Sequence, residues 1–213
     1  MAVDVTVTVA AFDFDETLTK HDSVVPFLRR FSSRRRFAAG LLPHTLRVMP
    51  MAVRRDRNRL RELATQLVFA GRPLVEVEAH AAALGAAILA EGLRPDTRQR
   101  LDWHLDAGHR VVIVSASYDT YVDVVAAGLG DVDVLATQLE VVDGVCTGSL
   151  VGPNCRGQEK VERLSAWLDA QGLARDDVIV YAYGDSRGDA EMLAWADHPH
   201  RVKAPLGSVA PSV

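Results

Sequence analysis

Asp13 and Asp15 stand two positions apart in FDFDETLT, residues 12–19, directly after the apolar run VTVTVAA. In an extended strand residues i and i+2 point to the same face, so these two carboxylates share a space. At ~6 to 7 Å and an effective dielectric of about 20 they repel by about 2 to 3 kcal/mol, a sizeable part of a domain's net stability. A divalent cation would relieve that repulsion, and a carboxylate from a second strand end would complete its site. YGDSRGDAEM offers Asp185 directly after the apolar run at 178–183, and Asp189 one helical turn further on. A few hard oxygen ligands completed by water suit Mg2+ better than Zn2+, and Mg2+ in turn implies a phosphate.

Three more residues fit a phosphate at the same edge. Ser115 closes the run RVVIVSAS, where its hydroxyl can donate to a non-bridging oxygen. Lys160, in GQEKVERL, opens a predicted helix with a compact positive charge; the chain has only three lysines against twenty-one arginines, which weakens the reading of Lys160 as one more surface cation. Thr17 can tie the turn after Asp15 to the backbone or to its neighbour. Each has a plainer alternative: Ser115 as a helix cap, Lys160 as a solvated helical residue, Asp189 as first-turn charge complementing a helix dipole. The histidines, among them His21, His104 and His109, are not spaced as ligands on one helix face and receive no role. Trp103, Trp167 and Trp195 read as packing residues.

These side chains need a rigid support. VTVTVAAFD near 5–13, RVVIVSAS near 110–117 and VIVYAYGDS near 178–186 are near-continuous β-branched runs ending in polar residues, with helical stretches between them. That pattern predicts a doubly wound parallel α/β sheet covered on both faces, with ligands at the carboxyl ends of its strands. A further strand is expected at VDVLAT, then a hairpin turning at Asp143-Gly144 in a type I′ turn. Helices are predicted at 96–107, 118–128, 158–171 and 188–196, with Gly108, Gly128 and Gly172 as C-terminal caps. About a hundred residues separate the first two strand ends, far beyond the ~12 to 15-residue ceiling for a loop. The apolar spacing of VVPFLRRF, LRELATQLVFAG and LVEVEAHAAALGAAILAEGL is helical, punctuated by Gly71-Arg72-Pro73. A small helical domain over 20–95, folding on its own, is therefore expected inside a core made of 1–19 and 96–213. The tail APLGSVAPSV is expected to be loose.

At 213 residues, 48% hydrophobic and 24% charged, the chain reads as globular, and its net charge of -4 argues against nucleic acid as the main partner. Eleven arginines between Arg29 and Arg61 face a single acidic residue, Asp56, and read as a solvated helical surface rather than an anion-gathering patch. No apolar run reaches the length of a membrane span, and the N-terminal region lacks the basic segment of a secretory signal. Cys146 and Cys155 lie outside C-x-x-C spacing and read as reduced thiols of a cytoplasmic protein.

Taken in order, Asp13-Phe14-Asp15-Glu16-Thr17, Ser115, Lys160 and Gly184-Asp185-Ser186 with Asp189 resemble the four motifs of the haloacid dehalogenase (HAD) superfamily. The likeness is to its phosphatases of subfamily IB, which carry a C1-type helical cap after the first motif and include phosphoserine phosphatases. It covers nearly the whole chain, strongly in the core and weakly in the insertion. It implies a Rossmann-like core and a Mg2+-dependent phosphomonoester hydrolase acting on a small polar metabolite. It further implies Asp13 as nucleophile and Asp15 as general acid and base. Mg2+ would lie on the Asp13 and Asp185 carboxylates and the Asp15 backbone carbonyl. Ser115, Lys160 and Thr17 would serve the phosphoryl group, and Asp189 would steady Lys160 or a metal-bound water.

Two positions depart from phosphoserine phosphatases. Asp22 stands where those enzymes carry a substrate-recognising glutamate, and Ala116-Ser117 replaces the usual Gly-Gly after the serine. The cap arginine that would meet substrate is open among Arg54, Arg55, Arg57, Arg59 and Arg61. A phosphomutase or phosphotransferase of the same superfamily is an alternative activity. An anion- or lipid-binding module using the arginine-rich insertion is another. The partner expected is a small phosphomonoester, with the protein a monomer or homodimer.

Overall fold

The computed structural model describes residues 7–31, 57–202 and 206. Strand β1 (Val7–Phe12) leads into helix α1 (Val24–Phe31), helix α2 (Arg57–Phe69), the two-residue strand β2 (Arg72–Pro73) and helix α3 (Leu74–Ala87), which a π-helical turn prolongs over Ile88–Gly92. Next come α4 (Pro95–Asp106), β3 (Arg110–Tyr118), α5 (Asp119–Leu129), β4 (Val132–Thr137) and the hairpin of β5 (Leu139–Val142) and β6 (Val145–Leu150). Helix α6 (Gln158–Ala170), β7 (Val178–Gly184), α7 (Ala190–Trp195) and β8 (His198–Arg201) complete the described elements. The four predicted helices lie within two residues of their expected limits.

Five strands form one parallel sheet in the order β4-β3-β1-β7-β8. The order reverses at β1, so the crevice beyond its carboxyl end is where such a sheet receives ligands. Both faces are covered, as the unbroken apolar runs imply. Val9 and Ala11 pack with Val112, Val114, Val180 and Ala182 beneath Leu164 and Leu168 of α6 and Met192 of α7. Ala10 and Phe12 face the other way, with Ile113, Tyr181 and Tyr183. β8 escapes the sequence reading because HPHR carries Pro199, which only an edge strand tolerates.

The described residues of the insertion share a buried cluster with the core. Phe27, Phe69, Val77, Ala81 and Leu84 belong to the same buried cluster as Phe12, Phe14, Tyr118 and Tyr121 of the core. The Phe27 ring lies 4.8 Å from that of Tyr121, and Phe69 lies 5.4 Å from Tyr118. Gly108 and Gly172 follow their helices with positive φ, as expected of caps. Gly128 does not: α5 runs on to Leu129, and Gly130 follows it with φ 126°. A Cβ at Gly128 would collide with Leu89, so its lack of a side chain lets the insertion approach α5.

Arg72-Pro73, expected as mere punctuation, pairs antiparallel with Cys146 and Val145 and adds the insertion to the hairpin as a third strand. Asp143 and Gly144 have φ of 50° and 76°, the left-handed pair a type I′ turn requires. Most of the arginine-rich stretch and of the tail lies outside the described residues; Leu206 is tied by its N–H to Asp96 Oδ2 at 2.8 Å. Among the described residues no helix is long and apolar enough to cross a membrane.

Candidate active site

β1 stops at Phe12, and the Phe14 carbonyl accepts the N–H groups of Thr17, Leu18 and Thr19 at 3.3, 2.9 and 2.9 Å. This tight turn aims Asp13 and Asp15 into the crevice. The Asp13 N–H donates to the Tyr183 carbonyl at 2.8 Å and so keeps Asp13 in register with β7. On that strand's far end Gly184 leaves space for Asp189, whose Cβ a methyl there would strike.

Lys160 lies in the first turn of α6 and is 1% exposed. Its ammonium donates to Asp13 Oδ1 and to Asp189 Oδ1, each at 2.6 Å. The start of α6 is held by the Gly157 N–H on the Gly188 carbonyl at 2.8 Å. Asp189 Oδ2 in turn accepts the Ser186 N–H at 2.9 Å and its hydroxyl at 2.8 Å. Thr17, fully buried, donates to Asp185 Oδ1 at 3.3 Å. Asp13, Asp185 and Asp189 each offer a carboxylate oxygen within 4.8 Å of the others. The Ser115 hydroxyl accepts the Ser117 N–H at 3.0 Å and keeps its own proton for another acceptor.

Carboxylates outnumber cations here. Burial pushes Asp13 upward, with Asp189 and Asp15 adding to it, while Lys160 pulls it back. Burial also raises Asp185, helped by Asp189 and Glu16, and raises Asp15 against the hydrogen bonds it accepts. Against its own burial, Asp189 is held below the usual carboxylate range by Lys160, and Lys160, equally buried, is held charged by Asp13 and Asp189. An all-oxygen donor set with unrelieved negative charge fits a hard divalent cation.

A cavity of about 120 Å³ is lined by Asp13, Asp15, Asp22, Ser115, Lys160, Asp185 and Asp189 of the residues singled out from sequence. Thr17 meets it through Asp185. Among the arginines left open, Arg61 lines the cavity and Arg59 lines a separate surface cleft. Arg54 and Arg55, and the side chain of Arg57, lie outside the described residues. Arg61 Nη1 is buried with no hydrogen-bond acceptor among the described residues. Asp22 accepts the Val25 N–H at 3.0 Å, at the head of α1.

The sequence reading missed Ser23, Ser117 and Tyr121, which surround Asp15, and Arg156 at the cavity wall. For Ser117 a signal existed: alternation alone would set it, two positions after Ser115, on that residue's face, although the pairing of β3 shifts between Ser115 and Tyr118. Ser23 and Tyr121 come from elements that only the tertiary fold brings together.

The family model of haloacid dehalogenase-like hydrolases matches residues 10–194. The chain belongs to this family. Protein CicA of Caulobacter vibrioides is 37% identical over 188 residues, covering 88% of this chain and 82% of that protein. The phosphoserine phosphatase SerB1 of Mycobacterium tuberculosis is 30% identical over 190 residues, covering 87% of this chain and 61% of that one. A solved structure of a protein of unknown function from Bordetella pertussis superposes with a TM-score of 0.74 at 26% identity, over 89% of this chain and 87% of that one. The chain is thus a HAD-type hydrolase with phosphatase relatives, and its parallel sheet is the Rossmann-like core of the family.

Proposed function

We propose that the protein hydrolyses a small polar phosphomonoester through a phosphoryl group carried on Asp13, with Mg2+ as cofactor. The observation that carries this reading is the Lys160 ammonium bridging Asp13 and Asp189 beside Asp185 and Ser115 in one small cavity at the carboxyl edge of the sheet. Mg2+, held by the Asp13 and Asp185 carboxylates and the Asp15 carbonyl, would offset charge on the transferring group, where most catalysis of phosphoryl transfer arises. The Asp13 carboxylate attacks phosphorus in line with the leaving oxygen. Asp15 protonates that oxygen and later takes a proton from the water that cleaves the intermediate. Ser115 and Lys160 bind the phosphoryl oxygens, Thr17 steadies Asp185, and Asp189 holds Lys160 in place.

The segment 20–95 acts as the cap that selects the substrate. Arg61, with a buried nitrogen in want of an acceptor, suits a carboxylate or similar anion on the substrate, and Asp22, which also lines the cavity, suits a cationic group. The 120 Å³ cavity favours a small metabolite. Phosphoserine meets all three demands, and a relative carries that name. Both cysteines are buried and unpaired, which supports a cytoplasmic setting.

The test is release of inorganic phosphate from a panel of monoesters with and without EDTA. Phosphate release abolished by EDTA, restored by Mg2+ and lost in Asp13→Asn supports the assignment. Full turnover in Asp13→Asn refutes it.

A further inference from the structure

Asp15 is gripped from both sides of the crevice. Its Oδ1 accepts two hydrogen bonds from one residue, the Ser23 N–H at 2.8 Å and the Ser23 hydroxyl at 2.5 Å. Its Oδ2 accepts the Ser117 hydroxyl at 2.6 Å. Ser23 is 4% exposed and Ser117 1%, so both donors reach Asp15 from the protein side of the cavity. Behind them the Tyr121 hydroxyl lies 2.9 Å from Ser23 Oγ, and the Tyr121 side chain is fully buried. A serine hydroxyl carries one proton. That of Ser23 has two acceptors in reach, Asp15 Oδ1 at 2.5 Å and the Tyr121 hydroxyl at 2.9 Å, so Tyr121 fixes where the Ser23 hydroxyl sits.

Three elements meet at this one carboxyl group. Ser23 opens the insertion just before α1, Ser117 stands in β3, and Tyr121 belongs to α5. Each carboxylate oxygen has two lone-pair sites. Both of those on Oδ1 are filled by Ser23, whereas Oδ2 keeps one open. We infer that Ser23, Ser117 and Tyr121 are positioning residues that lock the plane of the Asp15 carboxyl group and leave Oδ2 as the single atom through which its proton passes.

This inference rests on the hydrolase reading above. In the first half of the reaction the bond from phosphorus to the leaving oxygen breaks as Asp13 bonds to phosphorus, and the proton on Asp15 Oδ2 passes to the leaving oxygen. In the second half a water oxygen bonds to phosphorus, its proton returns to the same Oδ2, and the bond from phosphorus to Asp13 breaks. Asp15 ends as it began. Ser117 thereby gains a purpose that a glycine at that position lacks, since glycine has no side-chain donor.

The test compares kcat and KM of the full chain, with Mg2+ present, on glycerol 2-phosphate and on p-nitrophenyl phosphate. The alkoxide leaving group needs the proton and the nitrophenolate hardly does. Ser117→Ala and Tyr121→Phe are expected to lower the alkyl-to-aryl ratio of kcat on the order of tenfold, with KM moving less than about threefold. Ser117→Thr, which restores the donor, should recover most of the ratio. Tyr121→Phe keeps the buried ring, so it reads the hydroxyl alone even if Ser117→Ala folds poorly. Equal losses on the two substrates, or an unchanged ratio, would overturn the clamp while leaving the hydrolase reading intact. A wild-type protein that releases phosphate from no ester of the panel overturns both.

Discussion

The same sheet buries ionisable groups in two opposite ways. At its carboxyl edge a buried charge is kept by supplying partners: the Lys160 ammonium sits between Asp13 and Asp189. On the face below, aromatic and imidazole rings are stacked, and His104 among them is kept neutral. Phe12 lies 4.3 Å from Tyr183, Tyr183 lies 4.8 Å from His200, and Tyr181 lies 4.4 Å from His198, all near parallel. Fully buried His104 joins this rack through its Nε2 to the Tyr183 hydroxyl at 2.9 Å and its Nδ1 to His109 Nδ1 at 2.8 Å. Burial, with His109, Arg100 and His200 adding to it, pushes His104 down to about 3. Burial costs a charged group its hydration, and a protein can answer by supplying a partner or by withholding the proton. The pocket does the first for Lys160, and the rack does the second for His104.

Removing one partner from the matched set should give the largest effect. Lys160→Met leaves two buried carboxylates facing each other and is expected to cost about 3 to 5 kcal/mol, read by urea unfolding, along with nearly all phosphate release. Mg2+ should recover part of that stability in the variant, and more than it adds to wild type. An unaltered unfolding midpoint would mean that the pocket is not built on charge matching.

The rack should respond to acid instead. Because the folded protein holds His104 well below its ordinary value, the unfolded chain takes up the proton first. Stability from this group is complete above about pH 6.5 and drains away as pH falls toward 3, by up to ~1.4 kcal/mol per pH unit. His104→Phe should flatten the melting temperature across that window even if it lowers the plateau. A slope equal to that of wild type would show that other groups set the acid response.

Smallest is the expected effect at the cavity wall. Arg61→Ala should raise KM for a carboxylate-bearing monoester about tenfold, a loss of ~1 to 2 kcal/mol, with little change for an ester lacking that anion. Similar KM changes for both would place Arg61 outside substrate recognition and leave it as a packing residue over the Tyr118 ring, 5.3 Å from its guanidinium.

The sequence made the pocket far more legible than the rack. Asp13, Ser115, Lys160 and Asp185 stand at the ends of apolar runs or the start of a helix, where alternation and strand polarity say which way a side chain faces. His104, His109 and His200 gave no such sign, because what joins them is side-chain contact through Tyr181 and Tyr183 between elements distant in sequence, and β8 was hidden by Pro199. The hairpin was legible from Asp143-Gly144 between the apolar runs QLEVV and VCTGSLV. The shared core of the insertion was not, since helical spacing shows that a face is apolar without naming what it meets. Gly128 illustrates this: read locally it caps a helix, but Leu89 of the insertion occupies the space a side chain there would need. Ser23 and Tyr121 lie 98 positions apart, beyond any local pattern.

Pro73 on Val145, Arg72 on Cys146, and the Leu74 N–H on the Gly144 carbonyl at 2.8 Å form a seam between insertion and hairpin. Besides the two points where its chain enters and leaves, the insertion is thus stitched to the hairpin by main-chain bonds, an attachment that does not depend on which side chains pack beneath it.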